Sequence, residues 1–284
     1  TDCSRKTVTL KTSPLRIVSL APSITETLYA LHVEQRLVAT SDFCIYPEAA
    51  RAIPKLGRID TPNIERIITL KPDLVLTLPI TPPVVLEQLH KAGILTCTFN
   101  QTTWDETLTE TLLLSKILDT NPVGQTLVDS IRSQAHAVTQ TLANVAAPSP
   151  KPKVALLYNT TDFYSAGNNT FPNTIIQLAG GTNIASDLRS TWPQLSLETL
   201  LQKNPDVILL ALSQTPQELN ATIQNWRQHP ILSKIKAVQT GRIITLDNDR
   251  LSIPGPRMGE TVQRLFTALY PELPLASPDT TQSK

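Results

Sequence analysis

The sequence predicts an α/β protein of two lobes, each built on a central parallel sheet, joined by one long α-helix and leaving a ligand cleft between them. Three observations carry this. Short β-branched runs alternate with helical patterns toward both ends of the chain, which implies parallel strands with right-handed crossovers. The middle, from Trp104 to about Ala147, shows helical periodicity only. Finally, NIERIITLKPDLVL at Asn63 returns as SLETLLQKNPDVIL at Ser196, each copy with a first-turn glutamate and Pro-Asp seven residues after it.

Taken in order, Arg16–Leu20 is the first strand, and a helix follows in which Ser23 and Glu26 form a capping box. Arg36–Thr40 is a second strand. The helix from Asn63 leads into strand Asp73–Leu78, and the helix Pro83–Ala92 leads through Gly93 into strand Ile94–Phe99. In the helical middle, Val123, Leu127, Ile131, Ala135, Val138, Leu142 and Val145 form one apolar stripe, starting near Asn121-Pro122 and stopped by APSPKP. About 25 residues at 1.5 Å each make a rod of roughly 37 Å, long enough to cross from lobe to lobe. Alternation then resumes: strand Lys153–Tyr158, helix FPNTIIQLAGG, helix from Leu197, strand Asp206–Leu212, helix PQELNATIQNWRQH, strand Arg242–Leu246 and helix Met258–Leu269. The expected domains are therefore residues 1–120, the linking helix 121–147, residues 148–270, and a disordered tail 271–284 too poor in apolar residues to pack.

Composition narrows the function. With 40% hydrophobic and 17% charged residues the chain is of globular type, and a net charge of +1 without basic clusters argues against nucleic acid as a partner. No apolar stretch reaches the roughly 18–20 residues of a spanning helix, and no basic-then-apolar leader is seen, so the chain is expected to be either cytoplasmic or exported with its signal removed. Cys3, Cys44 and Cys97 lack metal-type spacing and allow at most one bridge. His32, His90, His136 and His229 are scattered without paired spacing, so no metal site is expected. No GxGxxG or Walker motif follows a strand, and no nucleophile elbow is present. The expectation is a protein that is not an enzyme and has no intrinsic cofactor.

Binding residues are sought in the strand-end loops. Tyr46, Phe163-Tyr164 and Trp192 offer aromatic faces suited to a large flat ligand, unless they form a satellite packing cluster. Arg58, Arg250 and Arg257 could meet ligand carboxylates or phosphate, or be ordinary surface arginines. Glu65 and Glu198 each follow a good N-cap by two residues, so each either complements its helix dipole or, as a duplicated pair, offers a two-fold partner one handle per lobe.

RIVSLAPSITETLYAL, NIERIITLKPDLVL, TWPQLSLETLLQKNPDVIL and GPRMGETVQRL resemble, in this order and over about Lys6 to Tyr270, the helical-backbone (class III) periplasmic substrate-binding proteins of ABC importers for cobalamin, ferric siderophores and haem. The resemblance implies two Rossmann-like lobes, a monomer that captures a metal chelate, and a periplasmic location, possibly membrane-anchored. It implies that Glu65 and Glu198 dock on the permease dimer. Similarity to the cobalamin-binding members sets Tyr46, Tyr164 and Trp192 against the corrin. Positions that are tryptophan there stand here as Ile59 and Leu78, leaving a less aromatic wall, with Arg58, Arg250 and Arg257 as anion partners should the ligand be a siderophore or haem.

Overall fold

A computed structural model describes residues 12–145 and 150–275. The chain divides into two compact units, Thr1–Asp129 with Ile253–Pro256, and Ser130–Ser252 with Arg257–Lys284.

The first unit contains β1 (Ile17–Ser19), α1 (Pro22–Ala30), β2 (Leu37–Thr40), α2 (Ile64–Leu70), β3 (Leu74–Thr77), α3 (Pro83–Lys91), β4 (Thr96–Thr98), α4 (Trp104–Ile117) and the start of α5 (Asn121–Asn144). Its four parallel strands run in the order β2-β1-β3-β4. Both faces of the sheet are covered, as parallel sheets require. Ile17, Leu74, Leu76 and Cys97 pack on one side with Ile24 and Leu28 of α1 and Leu114 of α4, while Val18 and Val75 pack on the other with Ile67 of α2 and Leu89 of α3.

The second unit holds the rest of α5, then β5 (Lys153–Leu157), α6 (Phe171–Leu178), β6 (Thr182–Asn183), α7 (Leu197–Lys203), β7 (Val207–Ala211), α8 (Pro216–Gln228), α9 (Lys236–Thr240), β8 (Ile243–Leu246), α10 (Asn248–Ser252) and α11 (Met258–Leu269). Its sheet order, β6-β5-β7-β8, repeats that of the first unit strand for strand. The short β6, α9 and α10 escape sequence reading because each is too brief to show a period.

The duplicated phrase is a duplicated fold device. Asn63 and Ser196 cap α2 and α7, and Lys71 (φ 46°) and Asn204 (φ 43°) end them in the left-handed region. Asp73 then accepts hydrogen bonds from the backbone N–H groups of Leu15 and Arg16, both at 2.8 Å, and Asp206 accepts one from that of Lys153 at 2.8 Å. In return, Arg16 donates to the last carbonyl of α2 at 2.7 Å and Lys153 to the last carbonyl of α7 at 3.4 Å. The Pro-Asp pair thus ties helix end and neighbouring strand into one joint.

Elsewhere the structure departs from sequence expectation at α1. Ser23 is not the N-cap: Ala21 holds that place and Pro22 opens the helix. The Ser23 hydroxyl instead donates to Gln101 Oε1 at 2.5 Å, and Glu26 is buried inside the helix rather than closing a capping box. Along α5 the expected stripe is in place, with Ile131, Ala135 and Val138 buried, whereas Val145 lies past the helix end and is exposed. Cys44 and Cys97 are buried thiols. Cys3 and residues 146–149 lie outside the described residues, as does the expected tail from 276 on.

Gly124 of α5 faces Ser115 of α4 so closely that an added Cβ would lie 2.3 Å from the serine side chain. Gly124→Ala should therefore destabilise the first unit by about 1–3 kcal/mol, measured by urea unfolding. Asp206 has its pKa held down: burial opposes this, but bonds from Lys236 and the Lys153 N–H prevail. Its contribution is thus present above pH 3.8 and is lost as pH falls through the lower folded value. Asp206→Ala should cost about 1–2 kcal/mol at neutral pH, with the difference closing in acid.

Candidate functional site

In each sheet the chain runs first to one side of the leading strand and then to the other, so the loops after β1 and β3, and after β5 and β7, flank a topological switch point. Ligands of open α/β sheets bind at the carboxyl ends of strands near such points. The sequence-predicted residues are therefore best judged by what these loops do with them.

In the second unit the loop after β5 and the loop after β6 pair as an antiparallel ribbon. Leu195 N–H donates to Phe163 at 3.0 Å, Ser165 N–H to Pro193 at 2.9 Å and Gly167 N–H to Thr191 at 2.8 Å. Tyr164 consequently faces Gln194. By the same register Trp192 stands on the same side as Tyr164, one pair along, a diagonal neighbour. Phe163, Ser165, Pro193 and Leu195 point inward and are buried, while Tyr164 and Trp192 are 48% and 54% exposed. Large aromatic rings that open to solvent on a rigid ribbon form a contact surface.

Behind them lies Tyr158. Its ring tilts against Trp192 at a centroid distance of 6.0 Å, its N–H holds the Tyr164 carbonyl at 2.8 Å, and its hydroxyl donates to Leu251 at 3.0 Å. Burial, eased only partly by Ser252, pushes the Tyr158 phenol far above its usual range. Gly167 is required here, since a Cβ would meet the Ser190 carbonyl at 2.6 Å. Tyr158 carries no sequence signal beyond ending a strand, and the ribbon is hidden because PQL and FYS look like plain loop.

The first unit assembles a different surface. Tyr46 (45% exposed) and Phe43 (53%) follow β2. Arg58 lies 5.6 Å over the Phe43 ring and is held by Asp60 through two bonds of 2.9 and 3.0 Å. The Asp60 bond also raises the Arg58 pKa. This turn is shaped by Gly57 at φ 91°, whose N–H donates to Asp42 Oδ1 at 3.0 Å. Leu78 and Ile59 are partly buried and pack against the core. In the second unit, Arg250 lies in α10 and bonds Glu260 at 3.0 Å, with Asp247 at 3.8 Å. Arg257 likewise has an interaction of its own.

Glu65 and Glu198 occupy the first turns of α2 and α7 and are exposed. Within the phrase, the caps, the left-handed residue and the aspartate are all engaged in the fold. The two glutamate side chains make no hydrogen bond or ion pair within the described residues.

A cavity of about 540 Å³ opens beside β3 and β4 of the first unit, with Pro79, Pro83 and Leu86 as its apolar wall. Its polar side is Thr81, Thr98 and Asn100 together with Glu106 and Glu110 of α4. Glu110 accepts from the N–H groups of Asn100 (2.7 Å) and Gln101 (3.1 Å), and Glu106 from Asn100 Nδ2 (2.8 Å). Burial raises the Glu110 pKa to about 7, against the two backbone bonds and with help from the charge of Glu106. The i,i+4 spacing of these acids is visible in sequence but reads there as a solvated face.

Among the described residues, no group of three or more His, Cys, Asp or Glu side chains is placed to hold a metal ion, and no helix is long and apolar enough to cross a membrane. The family model described as periplasmic binding protein matches residues 17–250. The vitamin B12-binding protein of Vibrio cholerae is 31% identical over 261 residues, 89% of this chain and 88% of the relative. An uncharacterised ABC transporter substrate-binding lipoprotein of Bacillus subtilis is 29% identical over 275 residues, 95% and 85% of the two chains. A periplasmic haem-binding protein structure from Pseudomonas aeruginosa superimposes with a TM-score of 0.82 at 25% identity, covering 95% of this chain and all of the other.

Glu110 gives a pH test of the geometry. Because its folded pKa (about 7) exceeds the 4.5 of an ordinary glutamate, it favours folding fully below pH 4.5, and that contribution is lost as pH rises to 7. Relative to the wild type, Glu110→Gln should therefore be more stable at pH 8 than at pH 5, as read by thermal unfolding at the two pH values.

Proposed function

We propose, from the premise that the chain belongs to the periplasmic binding protein family, that it is a non-catalytic carrier which captures a metal chelate and hands it to the permease dimer of an ABC importer. The ligand in this reading is cobalamin or a related corrinoid. The strand-end surfaces supply the contacts: Tyr164 and Trp192 in the second unit, Tyr46, Arg58 and Leu78 in the first. Arg250 of the second unit is counted with them, its guanidinium also bonded to Glu260. The protein works as an exported monomer, in the periplasm or tethered to the membrane.

The observation that carries the delivery half is the repeated phrase, which sets one exposed glutamate per unit, without a side-chain partner, in the first turn of matching helices. Paired carboxylates on matching short helices suit a partner that presents two equivalent cations, where charge sets orientation and rate of encounter. The aromatic ribbon carries the ligand half, since a flat macrocycle gains from burial and offset stacking on exposed rings. The vitamin B12-binding relative and the B. subtilis transporter lipoprotein support both halves. A second reading, haem or a ferric siderophore as cargo, draws support from the likeness to the haem-binding structure of P. aeruginosa.

Titrating the purified protein with cyanocobalamin, haem and a ferric siderophore, followed by tryptophan fluorescence, checks the ligand. One equivalent of cyanocobalamin should saturate the quenching, and Trp192→Ala should remove most of it. The delivery half is checked by Glu65→Ala/Glu198→Ala: uptake by cells should drop at least about tenfold while affinity for ligand stays within about twofold. Unchanged uptake would end the docking role.

A further inference from the structure

The cavity of the first unit says what the edge of the ligand looks like. We propose that it receives an uncharged carboxamide arm of the chelate and turns away a carboxylate in the same place. This rests on the corrinoid reading given above and adds to it the polarity of the ligand's periphery.

An anionic ligand edge, such as the propionates of haem, needs guanidinium or ammonium groups to meet it. The charge of Arg58 is already paired with Asp60 through two of its five N–H donors, and Arg250 is engaged with Glu260 and Asp247. Lys55, in the first unit, donates to Thr40, to the Cys44 carbonyl and to the Ala50 carbonyl at 2.7–2.9 Å. Of the arginines in the loops after β5 and β6, Arg189 is exposed. The cavity itself holds two carboxylates and no cation.

Its chemistry suits an amide instead. A primary carboxamide donates two N–H groups and accepts at its oxygen. Glu106 and Glu110 have lone pairs beyond those used by the loop Asn100–Thr103, and the side-chain oxygen of Asn100 adds an acceptor beside them. Pro79, Pro83 and Leu86 cover the methylenes of the arm. Glu110 titrates near neutrality, so it accepts an amide N–H when charged and donates to an amide oxygen when protonated. A ligand carboxylate in the same place would face two like charges at pH 8, unrelieved by any cation of the wall.

The test uses the unmodified protein and cyanocobalamin beside its monocarboxylic acids, in which single propionamide arms have been hydrolysed. At pH 8 one of these acids should bind at least about tenfold more weakly than the parent, and Glu110→Gln should shrink that deficit. Acids that all bind like the parent would overturn the proposal while leaving the carrier reading intact. Tighter binding of an acid, abolished by Arg189→Gln, would overturn it in favour of an anion handle on the second unit. Failure of cyanocobalamin itself to bind, with haem binding in its place, would remove the corrinoid reading and this inference together.

Discussion

A carboxylate at the head of the third strand of each unit holds the backbone of the neighbouring strand. Asp73 on the N–H groups of Leu15 and Arg16, and Asp206 on that of Lys153, fix where β1 and β5 begin relative to β3 and β7. Side chains alternate along a strand, so a slip of one residue would turn Ile17, Leu74 and Leu76 from one face of the sheet to the other. The carboxyl ends of the strands, and the loops springing from them, inherit that register. The exposed aromatics Tyr46, Tyr164 and Trp192 sit on those loops.

The two units then diverge in how they use the same frame. The first shapes its surface with a positive-φ glycine, an internally paired arginine and an aromatic ring beneath it. The second uses a ribbon that turns two aromatic side chains outward and buries their neighbours. The same frame thus carries two kinds of surface: exposed aromatic rings, Tyr164 and Trp192, in the second unit, and a polar cavity with Glu106 and Glu110 in the first.

Much of the frame is legible in the sequence because it depends on repeating local signals. Apolar runs between helical patterns give the strands, Asn63 and Ser196 give the helix starts, and the stripe on α5 gives the long helix. Ser23 misleads because a serine three residues before a glutamate has the form of a cap, whereas Pro22 had already opened the helix and Gln101, far along the chain, was waiting for the hydroxyl. The site is less legible. The exposed aromatics and the paired glutamates stand out as residues, but the partners that define them do not: Asp60 for Arg58, Tyr158 for Trp192, and the backbone of Asn100 and Gln101 for Glu110. Each of these is fixed by a turn or a packing contact with no period to betray it.

The ribbon has a gap whose effect reaches beyond geometry. Pro193 stands where an N–H would otherwise bond the Ser165 carbonyl and complete the pairing beside Trp192, and proline has none to give. The ladder is therefore missing a rung on the side nearest the exposed indole, and at the Leu195 end the Phe163 N–H likewise turns away, to Asn159 Oδ1. Local opening of a native protein begins where backbone bonds are fewest, so exchange of the Ser165 and Gly167 amide protons, which hold this stretch to Pro193 and Thr191, reports its opening. The second unit thus carries its exposed indole beside a rung that proline leaves empty, and a flat guest that clamps that ring would be felt as a slowing of exchange at the Gly167 amide.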